Sequence, residues 1–220
     1  MRVLIAGATG LVGQGVLEET LADPSVEKIA LLLRHAVDRE DARLQPLIVA
    51  DFADLSAVET RMAPYDACFY CAGATPVGTP ENEYRRVTLD LTLHVARTYA
   101  QRNPKGRFLY VSGAGSNPDS RIMQLRIKGE TEQALRSLPI ATTMLRTGGI
   151  QPVHGETSPH AWLKPLYAIG GPLMGLGVRM APAVLTTTAA VGRAMLALAK
   201  MADPPPVVEN AEINRLGADA

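Results

Sequence analysis

The first thirteen residues, Met1–Gly13, constrain the fold more than any other part of the chain. They read as a short apolar strand, Arg2–Ala6, then three glycines at intervals of three (Gly7, Gly10 and Gly13) and the beginning of a helix. This arrangement suits a diphosphate, because a glycine turn lets the backbone approach and the free N–H groups of a helix start face the anion. An ordinary glycine-rich turn is the alternative. The strand before the turn and the helix after it favour a dinucleotide site.

The residues of this turn have separate expected roles. Gly7 allows the sharp turn, Gly10 lets the phosphates approach the backbone, and Gly13 lets the helix pack close to the strand. The rest of the predicted phosphate-binding set lies in the turn and at the helix start, where unpaired N–H groups gather: Thr9, Leu11 and Val12.

Apolar strands and helices alternate along the chain, which is typical of a parallel sheet covered on both faces. The alternation predicts an α/β fold, a doubly wound parallel sheet (a Rossmann fold) built as one domain from residues 1–220, with a cofactor at its carboxyl edge. The predicted strands are Arg2–Ala6, Lys28–Leu33, Pro46–Val49, Asp66–Cys71, Arg107–Val111, Thr142–Arg146 and Val207–Glu209. The predicted helices are Leu11–Ala22, Leu55–Met62, Glu81–Arg102, Arg121–Ser137 and Thr186–Met201, the last of them capped by a threonine.

The composition argues against several classes of partner. Lys plus Arg and Asp plus Glu number 22 each, so no overall field attracts nucleic acid or an anionic membrane, and only 5% of the residues are aromatic. The chain has no uninterrupted apolar stretch of about eighteen residues, which argues against a membrane span. Its apolar start leads directly into an amphipathic helix, unlike a secretory signal. We therefore expect a cytoplasmic protein.

Cys68 and Cys71 form a C-x-x-C pair, a spacing that some redox proteins use. Here the pair lies on a predicted buried strand, where residues three apart point to opposite faces and are separated by roughly 10 Å. A disulfide requires α-carbons within about 7 Å of each other. We expect both cysteines to be core residues.

The end of the second predicted strand indicates which dinucleotide is bound. An acidic residue there binds the ribose hydroxyls of NAD, whereas an arginine accommodates the extra phosphate of NADP. In this chain the strand leads into Arg34, whose guanidinium suits bidentate phosphate binding. NADP(H) is therefore the preferred cofactor and NAD(H) the second choice. The alternative for Arg34 is a solvated arginine at a strand end.

The turns after the third and fourth strands are predicted to meet the adenosine. Asp51 could accept a hydrogen bond from the adenine amino group, and Gly73 would let the backbone come close. Either could equally be an ordinary turn residue. The predicted adenosine-binding set is completed by their neighbours Phe52, Cys71 and Ala72.

The glycine turn, Arg34, Asp51 and several later motifs follow one another along the chain as in atypical short-chain dehydrogenases/reductases. The sequence resembles the NAD(P)H-binding, epimerase-like branch of small bacterial proteins in that family. The resemblance covers nearly the whole chain. In active members it implies that a serine, a tyrosine and a lysine act together at the substrate oxygen and the nicotinamide ribose. Ser112 and Lys128 occupy the serine and lysine positions, and Lys128 would also contact the cofactor. The matching stretches are the glycine turn, Arg34, Asp51, Cys71–Gly73, Val111–Ala114, Lys128–Glu130, Ile150–Gly155, Thr186–Thr188 and Val208–Asn210.

The position of the tyrosine, one helical turn before the lysine, is occupied by Gln124. An amide does not ionise near neutral pH, so Gln124 cannot act as a general acid or base. Tyr84, Tyr167, His154 and His160 are the groups that could replace it. His154 follows the sixth strand, where such folds place substrate contacts, and it could equally be structural. The four histidines lack metal-ligand spacing, so no metal site is predicted.

The segment 148–183 is rich in glycine and proline, and Arg179 is the only charged residue between Pro165 and Ala183. A stretch of this kind is expected to cover a substrate pocket, a subunit interface or the core, and bound nucleotide is expected to order it. Just before it, the sequence Arg146–Gly148 has a threonine where related chains usually have a proline that would stiffen the turn.

These observations favour an NADP(H)-binding oxidoreductase-like protein that acts on a small-molecule substrate of unknown identity. The alternative is a non-catalytic NADPH-binding protein that senses redox state or regulates a protein partner, which Gln124 would explain. A sugar-nucleotide epimerase is less favoured, because 220 residues leave little chain for a larger substrate domain. By analogy with related proteins, a homodimer would form through Glu81–Arg102 and the helix that carries Lys128.

Overall fold

The computed structural model describes residues 1–156 and 181–218 of the chain. Its strands are β1 (Arg2–Ala6), β2 (Lys28–Leu33), β3 (Leu44–Ile48), β4 (Ala67–Tyr70), β5 (Arg107–Gly113), β6 (Ala141–Thr147), β7 (Gly149–Gln151), β8 (Leu185–Thr187) and β9 (Val207–Glu209). Seven of them form one parallel sheet in the order β3-β2-β1-β4-β5-β6-β9. The chain adds β2 and β3 on one side of β1 and the later strands on the other side. The strand order therefore reverses between β1 and β4, and a crevice opens at their carboxyl ends.

Helices cover both faces of this sheet, as the alternating sequence predicts. They are α1 (Leu11–Ala22), α2 (Glu81–Arg85), α3 (Leu91–Arg102), α4 (Met123–Arg136), α5 (Thr188–Lys200) and α6 (Asn210–Ala218). Buried residues of α1, α5 and α6 pack on one face, and those of α3 and α4 pack on the other. The prediction of a doubly wound α/β sheet is confirmed.

The strands are apolar on both faces because both faces are buried. In β1, Val3 and Ile5 pack toward α1 and α5, whereas Leu4 and Ala6 pack toward α3. Each fully buried side chain of this kind contributes roughly 1.5–3 kcal/mol to folding. The two layers hold the carboxyl ends of the strands in fixed register, and those ends carry the residues described below.

Small residues let the helices on the first face approach one another closely. A Cβ on Gly192 of α5 would lie 2.9 Å from Glu19 Cβ of α1, and one on Gly217 of α6 would lie 2.6 Å from the carbonyl oxygen of Ala190. Thr187, the residue before the first residue of α5, caps this helix by accepting a hydrogen bond from the N–H of Ala190 at 3.0 Å. The predicted threonine cap is confirmed.

Several predicted elements differ from the structure. The predicted helix Leu55–Met62 is wrong, because only its end forms helix, as a 3-10 turn over Glu59–Met62. The stretch Glu81–Arg102 is helical throughout, but one turn of π-helix, Arg86–Asp90, joins α2 to α3. The sequence prediction omitted α6 and the two-stranded parallel sheet of β7 and β8.

Candidate functional site

A cleft of about 650 Å³ lies at the carboxyl ends of β1, β2 and β4. Residues from the turns after these strands and after β3 line it, together with residues of the helical stretch that begins with α2. It brings together nine of the predicted cofactor-binding residues: Gly7, Thr9, Gly10, Arg34, Asp51, Phe52, Cys71, Ala72 and Gly73. The other predicted phosphate-binding residues, Leu11, Val12 and Gly13, begin α1 directly behind the glycine turn.

Two of the three glycines are required by close backbone approaches. Gly7 has a φ of +85°, and a Cβ there would lie 2.4 Å from the backbone nitrogen of Ala72. A Cβ on Gly13 would lie 2.0 Å from the carbonyl oxygen of Gly7. Gly10 is the N-cap residue of α1, whose N-terminus has no side-chain cap and no acidic residue in its first turn. The helix start is therefore open to an anionic ligand at the cleft.

Charged residues occupy the rim of the cleft where β2 and β3 end. Arg34 is exposed and forms no hydrogen bond or ion pair with residues 1–156 or 181–218. Asp51 accepts hydrogen bonds from the backbone N–H of Ala53 at 3.0 Å and from Arg86 Nη2 at 2.5 Å. These bonds lower the pKa of the Asp51 carboxyl, which stays ionised. Arg86 belongs to no sequence motif and meets Asp51 only through the fold, so local sequence patterns do not predict it.

The turn after β4 supplies an apolar part of the same cleft. Cys68 is fully buried and Cys71 is partly buried, and they pack into the cores on opposite faces of the sheet, as predicted. Burial raises the pKa of the Cys71 thiol to about 12, which makes it a poor nucleophile. A Cβ on Gly73 would meet no atom within 4 Å, so the structure gives no steric reason for a glycine there.

Lys128 lies on α4 beside the end of β5. A Cβ on Gly113 would be 3.3 Å from its Cδ and 3.5 Å from its Nζ. Burial lowers the pKa of Lys128 to about 8, although the charge of Glu132 raises it. Lys128 forms no hydrogen bond with the described part of the chain. Gln124 is one helical turn earlier on α4 and partly buried.

Ser112 faces the protein interior. Its side chain is 0% exposed, and its hydroxyl donates a hydrogen bond to Glu132 Oε1 at 2.6 Å. Glu132 is held in turn by Arg146, whose Nη2 lies 2.7 Å from Oε2. The expected contact between Ser112 and a substrate oxygen therefore does not fit this structure, since the hydroxyl is buried and hydrogen-bonded to Glu132. Glu132 follows Lys128 by four residues, and this spacing was the one signal in the sequence that could have identified it.

His154 also differs from the expected catalytic position. Its Nε2 lies 2.8 Å from Glu19 Oε1 on α1, on the opposite face of the sheet from the helix that carries Lys128. Its backbone N–H donates to Glu156 Oε2 at 2.7 Å. His154 therefore contacts a helix on one face of the sheet, whereas Lys128 belongs to a helix on the other face.

Of the other residues proposed to replace the tyrosine, only Tyr84 lies in the described part of the chain. Tyr84 is 1% exposed, and burial raises the pKa of its hydroxyl. His160 and Tyr167, with most of the apolar segment 148–183, lie outside the described residues.

The threonine in Arg146–Gly148 has a role that proline could not fill. The Thr147 hydroxyl donates to the carbonyl oxygen of Ser112 at 3.0 Å, which ties the ends of β5 and β6 together. A Cβ on Gly148 would lie 1.9 Å from the carbonyl oxygen of Val184. The absence of a side chain at Gly148 therefore lets β7 and β8 come close enough to pair.

Comparison with known proteins gives matches along most of the chain. The model of the NAD dependent epimerase/dehydratase family matches residues 3–136. "Protein fmp52-1, mitochondrial" of Aspergillus terreus is 28% identical over 164 residues, which cover 71% of this chain and 70% of that protein. "Protein HTATIP2" of Rattus norvegicus is 27% identical over 164 residues, which cover 73% and 67%. The fmp52 relatives are named as mitochondrial, which contradicts the expectation of a plain cytoplasmic location.

Among solved structures, MoeE5 in complex with UDP-glucuronic acid and NAD superimposes with a TM-score of 0.69. The match covers 100% of this chain and 82% of MoeE5 at 16% sequence identity, so it bears on the fold alone. Among the described residues, no helix is long and apolar enough to cross a membrane. Residues 1–156 and 181–218 also contain no group of three His, Cys, Asp or Glu side chains that could hold a metal ion.

Proposed function

The chain belongs to the NAD dependent epimerase/dehydratase family, as its epimerase-like motifs indicate, and we propose that it is an NADP(H)-binding oxidoreductase. The observation that carries this proposal is the cleft in which Arg34, the glycine turn and the uncapped start of α1 meet. The start of α1 would bind the diphosphate. Arg34, which forms no hydrogen bond or ion pair with the described residues, would bind the phosphate on the adenosine ribose.

When bound, the nicotinamide would supply a hydride to the substrate carbon. The chain must then supply a proton to the substrate oxygen, and Gln124 cannot do so. Lys128 is the group that fits this step, because its ammonium lies at the end of β5 and its pKa is lowered to about 8. A group with such a pKa loses its proton readily near neutral pH and regains it from water.

Separate titrations with NADPH and NADH test the cofactor part of the proposal. We expect NADPH to bind at least tenfold more tightly, as measured by nicotinamide fluorescence or calorimetry. Replacing Arg34 with alanine should weaken NADPH binding by about tenfold or more and leave NADH nearly unchanged, because a charged hydrogen bond to phosphate is lost. The matched control is Arg39→Ala, since Arg39 also follows β2 but pairs with Glu18 outside this cleft. Equal losses for both cofactors would contradict the assignment of Arg34.

Turnover of a panel of aldehydes, ketones and quinones with NADPH tests the catalytic part. In the direction of reduction, the rate should fall as pH rises above about 8, because the Lys128 ammonium loses the proton it must donate. Lys128→Met should remove the activity over the whole pH range. Lys105→Met, which alters an exposed lysine, is the control. A rate that stays constant from pH 7 to 10 would exclude Lys128 as the proton donor.

A second function, non-catalytic NADPH binding by a redox sensor or regulator, is favoured by two observations. The Gln124 side chain does not ionise near neutral pH, and the Ser112 hydroxyl is hydrogen-bonded to Glu132. Gln124→Tyr separates the two functions. A reductase activity that appears only in this variant would indicate a protein that binds cofactor without catalysis. An active wild type that depends on Lys128 would support the enzyme.

A further inference from the structure

We propose that Arg86 is a specificity-determining residue for NADP(H), because its ion pair with Asp51 cancels a carboxylate that would otherwise repel the phosphate on the adenosine ribose. This inference rests on the proposed binding of NADP(H) in the same cleft. Arg86 acts here by neutralising Asp51, whereas Arg34 holds the phosphate.

The fold places Arg34 and Asp51 at one edge of the cleft. Strands β2 and β3 are paired in parallel with Leu33 opposite Ile48, and the N–H of Val49 donates to the carbonyl oxygen of Leu33 at 2.9 Å. Arg34 and Asp51 therefore leave neighbouring strands at the same end of the sheet. The positive charge of Arg34 contributes to the lowered pKa of Asp51, as expected for two charges that face each other.

Arg86 approaches the same carboxylate from the helical side. It lies in the π-turn between α2 and α3, and its Nη2 is 2.5 Å from Asp51 Oδ2. Asp51 is thus paired with Arg86 and subject to the positive charge of Arg34, and all three residues line the cleft. The Asp51 side chain is 47% exposed and that of Arg86 is 51% exposed, so a nucleotide entering the cleft can reach both.

The sign of the charge at this position decides which dinucleotide is preferred. A ribose phosphate carries up to about two negative charges at neutral pH, whereas the NAD ribose has a neutral hydroxyl that an acidic side chain favours. An unpaired Asp51 would therefore oppose the action of Arg34. Glu83 also lines the cleft, and its charge is common to every variant compared below. Pairing with Arg86 leaves Arg34 as the net charge between the two strand ends.

Two fragments of the cofactors isolate this effect from the nicotinamide and the substrate. Adenosine 2′,5′-bisphosphate carries the ribose phosphate and 5′-AMP lacks it, and calorimetry gives the dissociation constant of each. Arg86→Ala should weaken the bisphosphate by about tenfold and change 5′-AMP by less than twofold. Adding Asp51→Asn to Arg86→Ala should restore the bisphosphate to within about threefold of wild type, because the repelling charge is gone.

The neighbouring Arg85→Ala is the matched control. Arg85 is 44% exposed and pairs with Glu130 at 2.5 Å, outside the cleft, so both fragments should bind this variant as they bind wild type. Asp51→Asn alone gives an independent measurement if Arg86→Ala folds poorly. It should tighten the bisphosphate by a few-fold, since it frees Arg86 and removes a negative charge.

Two results would overturn the proposal while leaving NADP(H) binding intact. Equal weakening of both fragments by Arg86→Ala would mean that Arg86 holds the adenosine. A loss that Asp51→Asn does not restore would mean that Arg86 binds the phosphate directly. If the wild type binds neither fragment nor NADPH, the proposed function itself fails, and this outcome is distinct from the other two.

Discussion

Lys128 illustrates how much the setting of one side chain can change its chemistry. Its ammonium lies against β5 beside Gly113, and burial lowers its pKa from 10.5 to about 8. A depression of this size corresponds to ~3 kcal/mol between the charged and neutral forms. Near neutral pH the folded protein therefore carries a lysine that is charged at a cost.

The cost of the buried charge on Lys128 should be measurable as a change in the free energy of unfolding. Lys128→Met should raise the free energy of unfolding at pH 7 by roughly 1–3 kcal/mol, because a methionine fills the same space without a charge. The wild type should regain the difference between pH 8 and pH 10.5, where the unfolded chain binds more protons than the folded protein. Denaturant unfolding at a series of pH values measures this. Lys105→Met should show no such dependence, since Lys105 is exposed.

Ser112 and His154 show what the sequence could and could not specify about single residues. Ser112 lies near the end of β5 and His154 follows β7, close to the strand ends predicted for them, because strand ends can be read from local apolar runs. The direction of each side chain depends on a partner distant in sequence. Ser112 turns toward Glu132, twenty residues later, and His154 binds Glu19, 135 residues earlier. Only the folded chain supplies these partners.

At the level of the elements, the glycine turn and α1 form a unit with little steric tolerance. Gly13 sits where the first turn of α1 passes over the carbonyl oxygen of Gly7. Gly73 lines the same cleft but has open space around its missing Cβ. The two positions therefore offer a direct comparison of the same substitution.

Gly13→Ala should lower the free energy of unfolding by about 2 kcal/mol or more and weaken nucleotide binding, because α1 must move away from β1. Gly73→Ala should change stability by less than about 1 kcal/mol. Thermal unfolding and NADPH titration of both variants measure the difference. Equal tolerance of the two alanines would contradict the close approach at Gly13.

The elements also show which signals in the sequence were reliable. The central strands and α1 were predicted almost to the residue, since long apolar runs and the glycine turn are local signals. The predicted helix Leu55–Met62 failed because only its end takes up helical hydrogen bonding. Helix α6 was omitted because it is short and partly polar, and distant contacts hold it in place.

For the whole molecule, Asn210 connects parts of the chain that are far apart in sequence. Its Oδ1 accepts from the N–H of Gly148 at 2.8 Å, and its Nδ2 donates to the carbonyl oxygens of Pro182 and Leu185. The side chain is 2% exposed. It thus joins α6, β8 and the end of β6 around one amide.

Asn210→Ala should lower the free energy of unfolding by about 2–3 kcal/mol, because it leaves buried backbone groups without their partner. The transition should stay single, since α6 packs on the same core as α1 and α5. Asn82→Ala, at an exposed position in α2, is the control. A loss below about 0.5 kcal/mol would show that water replaces the amide.

A homodimer through Glu81–Arg102 and α4 is expected by analogy, and sedimentation or light scattering would test it. The one-domain organisation of residues 1–220 is likewise an expectation from the sequence.

The π-turn at Arg86–Asp90 sets the direction in which Arg86 leaves the helical stretch. A π-turn corresponds to one residue inserted into a regular α-helix, and each residue rotates the following side chains by about 100°. Deleting one residue from this turn would restore a regular helix and rotate Arg86 away from Asp51 while α3 kept its core contacts. A one-residue change in the length of this turn would therefore alter the proposed cofactor preference, although Arg34 and the glycine turn stayed unchanged.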